Sequence, residues 1–330
     1  MLAARCHTYG PPDNLRFEEL DDPRPGPGEV RVRVHAASVN YPDVLVLADR
    51  YQVSCPLPFT AGSEFAGVVD EVGVGVDSPR VGDAVAGAVF VGAFAEQVVV
   101  PAAGLSPLPV GMTFADGAAY GVTYRTAYLA LRSVAGLAAG EWVVVLGAAG
   151  GIGTAAIDIA HALGGRVLAA ASSEEKLELC RSMGAEATVN YRAGPWKDRV
   201  RELTGGGSHV VIDPVGGDVA EPALRSLRWG GRFVTVGFAS GEIPRLPLNL
   251  VLLKGISVMG LDIRTFAGHA PDTARRHLAE LEALIVGGLR PRVTAVHPFD
   301  QLATVLSGVA ERGALGKIVI DVSGEGGRVG

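Results

Sequence analysis

Hydrophobic positions follow two different periods along the chain, and the change between them divides it. Residues 29–36 alternate apolar and polar side chains, which is typical of a half-buried strand. Segments 65–76 and 84–100 are rich in valine and glycine, and glycine and proline interrupt the first 120 residues throughout. This pattern predicts a twisted, barrel-like β-rich domain with little helix.

From about residue 122 to 262, short apolar runs alternate with segments of helical period. Strands are predicted at 142–147, 166–171, 187–191, 208–213, 231–237 and 256–261, and helices at 151–164, 174–183, 196–204 and 218–228. Such alternation predicts an α/β fold with a parallel, doubly wound sheet. Helical patterns at 274–288 and 299–312 and a strand at 317–322 do not extend the alternation. We therefore expect one domain made of 1–121 and 263–330 and a second made of 122–262.

A glycine-rich turn lies between the first strand and the first helix of the second domain. Gly150, Gly151, Ile152 and Gly153 follow the apolar run at 142–146 and open a segment of helical period. Missing Cβ atoms allow backbone N–H groups to approach a pyrophosphate, and the positive end of the helix dipole faces its charge. The turn therefore predicts a dinucleotide cofactor. The alternative is a purely structural glycine turn.

The end of the next strand discriminates between the two nicotinamide cofactors. An NAD site usually has Asp or Glu there, which accepts from the ribose 2′-OH, whereas this chain has Ser172 and Ser173, followed by Lys176. Hydroxyl groups and an ammonium suit a 2′-phosphate, and Tyr191 adds a phenolic hydroxyl. We therefore expect NADPH rather than NADH. The alternatives are an ordinary exposed helix lysine at 176 and a capping box formed by Ser172 and Glu175.

Two further segments lie at the carboxyl ends of predicted strands, where ligands bind in this architecture. Asp213 precedes the pair Gly216 and Gly217, and Gly237 and Phe238 close the fifth strand. These residues are candidates for cofactor contact. The alternatives are a helix cap for Asp213 and a simple chain turn for the glycine pair.

Composition and charge exclude several classes of protein. The chain has 330 residues, of which 48% are hydrophobic and 19% charged, as in compact globular proteins. A net charge of −6 does not favour a nucleic-acid partner, and the chain has neither a signal-peptide pattern nor an uninterrupted membrane segment. Cys6, Cys55 and Cys180 are odd in number and far apart, so no disulfide framework is expected. We expect a soluble, cytoplasmic protein without a membrane partner.

Eight motifs occur in order along nearly the whole chain. They are PFTAGSEFAGVVDEVGVGV (58–76), RVGDAV (80–85), AEQVVV (95–100), GAAGGIG (147–153), SSEEKL (172–177), VIDPVGG (211–217), GRFVTVGF (231–238) and ALGKIVI (314–320). Together they resemble the zinc-free quinone oxidoreductase (zeta-crystallin-like) branch of the medium-chain dehydrogenase/reductase superfamily. The resemblance implies a GroES-like catalytic domain, a Rossmann domain and a cleft between them. It also implies NADPH, homodimers or tetramers, and reduction of quinones or activated C=C bonds.

The resemblance assigns roles to individual residues. Asn40 in SVNYPD matches an asparagine that faces the nicotinamide, and Tyr51 matches a substrate-cleft tyrosine. Thr126 and Lys317 match residues that lie near the cofactor, and Phe238 matches a residue that lines it. The alternatives are a helix hydroxyl for Thr126 and a solvated strand-end charge for Lys317.

The positions where zinc-dependent relatives carry metal ligands differ in this chain. Those relatives have Cys near position 40 and His near position 63, beside an acid, whereas this chain has Asn40, Ser63 and Glu64. Because an amide and a hydroxyl cannot replace a thiolate and an imidazole as strong zinc ligands, we expect no catalytic zinc. Segment 86–110 contains no cysteine, so we expect no structural zinc either. Without a Lewis acid, conjugated acceptors need less help than alcohols do.

The sequence thus predicts NADPH-dependent reduction of a quinone, held and oriented by the protein. Asn40 would hydrogen-bond the ribose or a substrate oxygen, and Tyr51 would orient the substrate or donate a proton. One alternative is reduction of enals, enones or acyl thioesters. Another is an NADPH-binding sensor or structural protein with little catalysis. We expect a homodimer, and strand 256–261 could extend the sheet across its axis.

Overall fold

The structure is a computed structural model that describes residues 1–324, and its strands and helices are numbered in chain order. The strands are β1 (Leu2–Cys6), β2 (Leu15–Glu19), β3 (Glu29–Ser38), β4 (Phe59–Thr60), β5 (Glu64–Val72), β6 (Ala84–Ala88), β7 (Gln97–Pro101), β8 (Leu105–Pro107), β9 (Trp142–Leu146), β10 (Arg166–Ala171), β11 (Ala187–Asn190), β12 (Ser208–Asp213), β13 (Leu227–Thr235), β14 (Ser257–Gly260), β15 (Val293–Pro298) and β16 (Lys317–Asp321).

The α-helices are α1 (Tyr41–Leu47), α2 (Phe114–Tyr120), α3 (Thr123–Tyr128), α4 (Gly151–Ala162), α5 (Glu174–Ser182), α6 (Trp196–Leu203), α7 (Ala220–Ser226), α8 (Leu248–Lys254), α9 (Ile263–His269), α10 (Pro271–Val286) and α11 (Leu302–Ala310). A π-helical turn, Leu129–Val134, follows α3. No helix within residues 1–324 is both long enough and apolar enough to cross a membrane.

The chain divides into two compact units. The first is Met1–Val122 together with the chain from Arg290 onward, and the second is Thr123–Leu289. Segment 263–289, which the sequence predicted in the first domain, lies in the second unit instead. The reason is that α10 packs on α3 and on the π-helical turn, where Glu280 accepts hydrogen bonds from Tyr128 and Arg132. Residues 325–330, which the same prediction included, lie outside the described residues.

The first unit is built on a seven-stranded sheet in the order β15-β16-β3-β5-β6-β8, with β7 paired to β3. The pair β15 and β16 is parallel, and the other pairs are antiparallel. The alternation at 29–36 is confirmed as part of β3, where Val30, Val32 and Val34 are buried. A smaller sheet, β2-β1-β4, and the helices α1, α2 and α11 complete this unit.

The second unit contains a six-stranded parallel sheet in the order β11-β10-β9-β12-β13-β14. In sequence order this is 3-2-1-4-5-6, the doubly wound arrangement predicted above. Strand β9 is buried at every position, as expected for a central parallel strand with both faces covered. Strand β13 begins at Leu227, four residues before the predicted start, because Leu227 pairs with Ser208 ahead of a register shift.

Candidate functional site

The glycine turn of the second unit is tightly closed. Helix α4 begins at Gly151, with Gly150 as a cap that has no side chain, and its first turn contains no acidic residue. A Cβ added at Gly153 would lie 2.4 Å from the carbonyl oxygen of Gly147, and one added at Gly147 would lie 2.8 Å from Val215. Since the first N–H groups of a helix have no intrahelical acceptor, the turn offers backbone donors to an anion. Its geometry therefore fits a dinucleotide phosphate.

At the end of β10, hydroxyl side chains stand where an acid would mark an NAD site. Ser172 follows the strand, and the Oγ atom of Ser173 accepts from the backbone N–H of Lys176 at 3.4 Å. Ser173 is therefore the cap of α5, and the alternative capping box of Ser172 with Glu175 is wrong by one residue. The carboxylate of Glu174 forms an ion pair with Arg181 at 2.5 Å, which engages it on the helix surface.

The neighbouring strand end adds an aromatic side chain and a cation. Tyr191 follows β11 directly, and its N–H donates to the carbonyl oxygen of Ala171 at 3.1 Å. The guanidinium of Arg192 lies 5.9 Å from the ring of Tyr191 and pairs with Asp218 at 3.3 Å. The ends of β10 and β11 thus bring the predicted 2′-phosphate residues into one region. Arg192 was not among the residues predicted to lie near the 2′-phosphate, although it directly follows Tyr191.

Asp213 holds the turn after β12 and does not cap a helix. Its Oδ1 atom accepts from the N–H groups of Val215 and Gly216, both at 2.8 Å. Burial raises the pKa of Asp213 to about 6, although these two N–H groups oppose the shift. Phe238 packs against this turn, since a Cβ at Gly216 would lie 2.9 Å from its ring.

In the first unit, four polar side chains form a buried cluster. We call Ser38, Asn40, Glu64 and Lys317 the polar cluster, and none of the four is more than 5% exposed. The Nζ atom of Lys317 donates to Oδ1 of Asn40 at 2.5 Å and to Oε2 of Glu64 at 3.0 Å. The same Oε2 accepts from Ser38 Oγ at 2.6 Å and from Asn40 Nδ2 at 3.2 Å. The alternative of a solvated charge at Lys317 is therefore wrong.

Helix α1 starts at the polar cluster and fixes one side of it. Asn40 is the residue before α1, and its backbone N–H donates to Oδ2 of Asp43 at 2.7 Å. Burial raises the pKa of Asp43 to about 6, while hydrogen bonds from Ser63 and from the Asn40 backbone oppose the shift. Ser63 also faces Nδ2 of Asn40, at 3.4 Å. The short helix therefore orients Asn40 through its own first turn.

Two aromatic side chains lie in the loops that follow α1 and β6. Tyr51 is half-buried, and its ring centroid lies 6.1 Å from that of Phe90. The N–H of Val89, beside Phe90, donates to the carbonyl oxygen of Ser63 at 2.8 Å. This bond connects the aromatic pair to the residue that contacts Asn40. Phe90 was not predicted, because no motif marks it.

The chain is similar to known proteins along nearly its whole length. Residues 26–110 match the family described as "Alcohol dehydrogenase GroES-like domain", and residues 151–281 match the family described as "Zinc-binding dehydrogenase". The chain is 40% identical over 331 residues to "Quinone oxidoreductase-like protein 2" of Mus musculus. The aligned region covers 97% of this chain and 92% of that protein. The chain belongs to the quinone oxidoreductase-like branch of the medium-chain dehydrogenase/reductase superfamily.

Solved structures of this superfamily have the same fold. A quinone oxidoreductase of Escherichia coli, complexed with NADPH, is 26% identical, with a TM-score of 0.89 over 98% of this chain and 100% of that chain. The CurK enoyl reductase is 25% identical, with a TM-score of 0.86 over 97% of this chain and 98% of that one. The predicted fold class, a Rossmann parallel sheet with a GroES-like β-rich domain, is confirmed.

For a member of a family described as zinc-binding, the residues at the ligand positions matter. Asn40, Ser63 and Glu64 lie together as the sequence suggested, with Lys317 beside them. Throughout residues 1–324, no three His, Cys, Asp or Glu side chains come close enough to hold a metal ion. Thr126, the remaining predicted cofactor residue, is buried in α3 of the second unit. The roles assigned to all these residues stay predictions.

Proposed function

We propose that this chain is an NADPH-dependent oxidoreductase that delivers hydride to a quinone without using zinc. The observation that carries the proposal is the pair of side chains at the zinc-ligand positions, Asn40 of the polar cluster and Ser63 beside it. An amide and a hydroxyl occupy the ligand positions of zinc-dependent relatives, and the ammonium of Lys317 already compensates the charge of Glu64. A quinone suits such a site because its conjugated carbonyls accept hydride without a Lewis acid. Similarity to quinone oxidoreductase-like proteins supports the same choice.

The proposed cofactor fits the residues of the second unit. The glycine turn at 150–153 would bind the pyrophosphate through backbone N–H groups. Ser172, Ser173, Lys176 and Tyr191 would hold the 2′-phosphate, and the absence of an acid at the end of β10 removes the repulsion that it would otherwise meet. Gly237 and Phe238 would lie along the bound molecule. When bound, NADPH supplies the hydride.

In the proposed reaction the protein orients both reactants and provides a polar environment. Asn40 would hydrogen-bond the nicotinamide ribose or the acceptor oxygen through a carboxamide that the polar cluster holds in place. Reduction of a quinone needs a proton at its oxygen as well as the hydride. Tyr51 is the proposed source of this proton, either directly or through water. Its ring lies near that of Phe90, and the two rings would orient a flat acceptor by packing against it.

A second candidate is reduction of an activated C=C bond in an enone or acyl thioester. The similarity of the fold to the CurK enoyl reductase favours it, and its requirements for hydride and proton are the same. The third candidate, an NADPH-binding sensor or structural protein, needs only the second unit's cofactor residues. The three differ in the acceptors that they would reduce.

Steady-state oxidation of NADPH with a panel of acceptors separates these candidates. The proposal predicts turnover with 1,4-naphthoquinone and a kcat/KM at least about tenfold lower for simple enones. Faster turnover of enones or acyl thioesters than of the quinone would favour the second candidate, reduction of an activated C=C bond. Tight NADPH binding without turnover across the panel would favour the sensor.

We also propose that the protein is a homodimer formed through the edge of the parallel sheet. Strand β14 is the last strand of that sheet, and the neighbouring helix α8 has no buried residue. Leu248, Leu252 and Leu253 of α8 are each more than 70% exposed, as is Trp229. An edge strand paired with its own copy across a two-fold axis would satisfy its backbone groups and cover these apolar side chains.

A further inference from the structure

The ammonium of Lys317 is 3% exposed and lies within hydrogen-bonding distance of three acceptors. They are Oδ1 of Asn40 at 2.5 Å, Oε2 of Glu64 at 3.0 Å and the carbonyl oxygen of Val39 at 3.5 Å. An ammonium has three N–H donors and no acceptor, so this set occupies its hydrogen-bonding capacity. Lys317 is therefore engaged inside the first unit rather than presented to a ligand.

Glu64 is held as firmly as Lys317. Its Oε1 atom accepts from the N–H of Val122 at 2.8 Å, while Oε2 accepts from Ser38, Asn40 and Lys317. The carboxylate is thus fixed by contacts from separate parts of the first unit. Glu64 is therefore a fixed hydrogen-bond acceptor for the other three residues of the polar cluster.

Together the two charges determine which way the carboxamide of Asn40 is turned. The ammonium can only donate, so it requires Oδ1 on its side, and the carboxylate can only accept, so it requires Nδ2 on the other. Reversing the carboxamide would place two donors against each other at Lys317 and two acceptors against each other at Glu64. Burial strengthens both preferences, because no water is available to replace the lost bonds.

We propose that Lys317 is a positioning residue: its buried ammonium, paired with Glu64, fixes the carboxamide of Asn40 for the reaction and does not itself contact the cofactor. This changes the role that the sequence motif gave to Lys317. The inference rests on the proposed function only in that Asn40 is taken to face the nicotinamide end of NADPH. The orientation of Asn40 itself can be tested without cofactor or acceptor.

The first test observes the Asn40 carboxamide directly in the cofactor-free protein. The chain contains four asparagines, so selective ¹⁵N-asparagine labelling gives few side-chain NMR signals, and Asn40→Ala identifies the one required. We expect the side-chain Nδ2–H protons of Asn40 to exchange with water at least about tenfold faster in Lys317→Met than in the wild type. Lys197→Met, which removes a lysine from α6, should leave that signal unchanged. An Asn40 signal unaffected by Lys317→Met would overturn the proposal.

Lys317→Met leaves the Glu64 charge buried without its partner, which can prevent folding. The double variant Lys317→Met with Glu64→Gln removes both charges. The exchange of the Asn40 side-chain protons is therefore measured in this variant as well. The glutamine side chain introduced by Glu64→Gln can still accept a bond from Nδ2 of Asn40, but no ammonium fixes Oδ1. Faster exchange in this variant supports the proposal, and wild-type exchange contradicts it.

The second test is a double-mutant cycle between Lys317 and Asn40. If Lys317 acts through Asn40, Lys317→Met should lower kcat between about tenfold and a hundredfold in the wild-type background and less than about twofold in Asn40→Ala. The Kd for NADPH, followed by the fluorescence of the bound nicotinamide, should change less than about twofold. An equal loss of kcat in both backgrounds, or a large rise in Kd, would make Lys317 a direct contact. Absence of any turnover in the wild type would refute the proposed function, while NMR exchange would still decide the role of Lys317.

Discussion

At the scale of single residues, local motifs were more informative than distant contacts. The positions of Ser172, Ser173 and Lys176 could be predicted because they follow one strand directly. The contact between Lys317 and Asn40 joins residues 277 positions apart, and no spacing in the sequence marks such a pair. A strand-end lysine looks solvated in the sequence, and only the fold shows that it is buried beside Glu64.

The choice of NADPH over NADH depends most directly on Lys176. Removing its ammonium in Lys176→Ala should weaken NADPH binding about tenfold or more, since a charge-assisted bond to the 2′-phosphate is lost. Binding of NADH, which has no 2′-phosphate, should stay the same. Titration by fluorescence measures both constants. The matched control is Lys197→Ala in the same unit, and equal NADPH affinity in all three proteins would contradict the assignment.

Asp213 makes the stability of the second unit depend on pH. Burial raises its pKa from 3.8 to about 6, so the native state binds this proton more tightly than the unfolded state does. The resulting stabilisation is complete below about pH 4 and is lost as the pH rises through 6.

Asp213→Asn is neutral at every pH. Its free energy of unfolding, relative to that of the wild type, should therefore rise by on the order of 2 kcal/mol between pH 4 and pH 7. Urea unfolding of both cofactor-free proteins at several pH values measures the difference. A difference that does not vary with pH would show that Asp213 is not the source.

At the scale of elements, the strands were easier to predict than the short helices. Strands β9, β10 and β12 each contain a short apolar run, which is typical of a buried parallel strand. Helix α2 has the cap of Thr113 and Asp116, but its seven residues include Gly117, which lowers helix propensity. The glycine lets the helix pack closely, because a Cβ there would lie 2.4 Å from the Leu108 side chain, which would have to move. Tertiary packing therefore stabilises this helix, and the local sequence pattern did not predict it.

The proposed dimer face belongs to two elements, β14 and α8. Leu252→Glu and Val258→Glu each put a charge on that face, and both side chains are exposed within one chain. We expect wild-type protein to sediment at twice the 34.0 kDa chain mass and both variants to sediment as monomers that keep the wild-type far-UV circular dichroism spectrum. Val110→Glu, at a fully exposed position in the first unit, is the control. Dimeric variants would place the interface elsewhere, and a monomeric wild type would exclude the dimer.

At the scale of the whole molecule, the alternation of strands and helices predicted the parallel sheet but not where the second unit ends. Within segment 263–289, residues 274–288 have an ordinary amphipathic helical pattern, and nothing in that pattern specifies its packing partner. The buried side chains of α10 are Ala274, His277, Leu281 and Ile285, and they belong to the second unit because the helix packs on α3 there. Periodicity shows that a helix has a buried face, whereas the fold determines what covers that face.

Hydride transfer from NADPH to a quinone, by residues that need no metal, is the central proposal for the whole molecule. The most direct test is the rate of 1,4-naphthoquinone reduction by protein dialysed against a chelator. We predict that kcat/KM stays within about twofold of the untreated value and is at least about tenfold higher with NADPH than with NADH. Absence of quinone reduction, or loss of activity on chelation that zinc restores, would contradict metal-free reduction of a quinone.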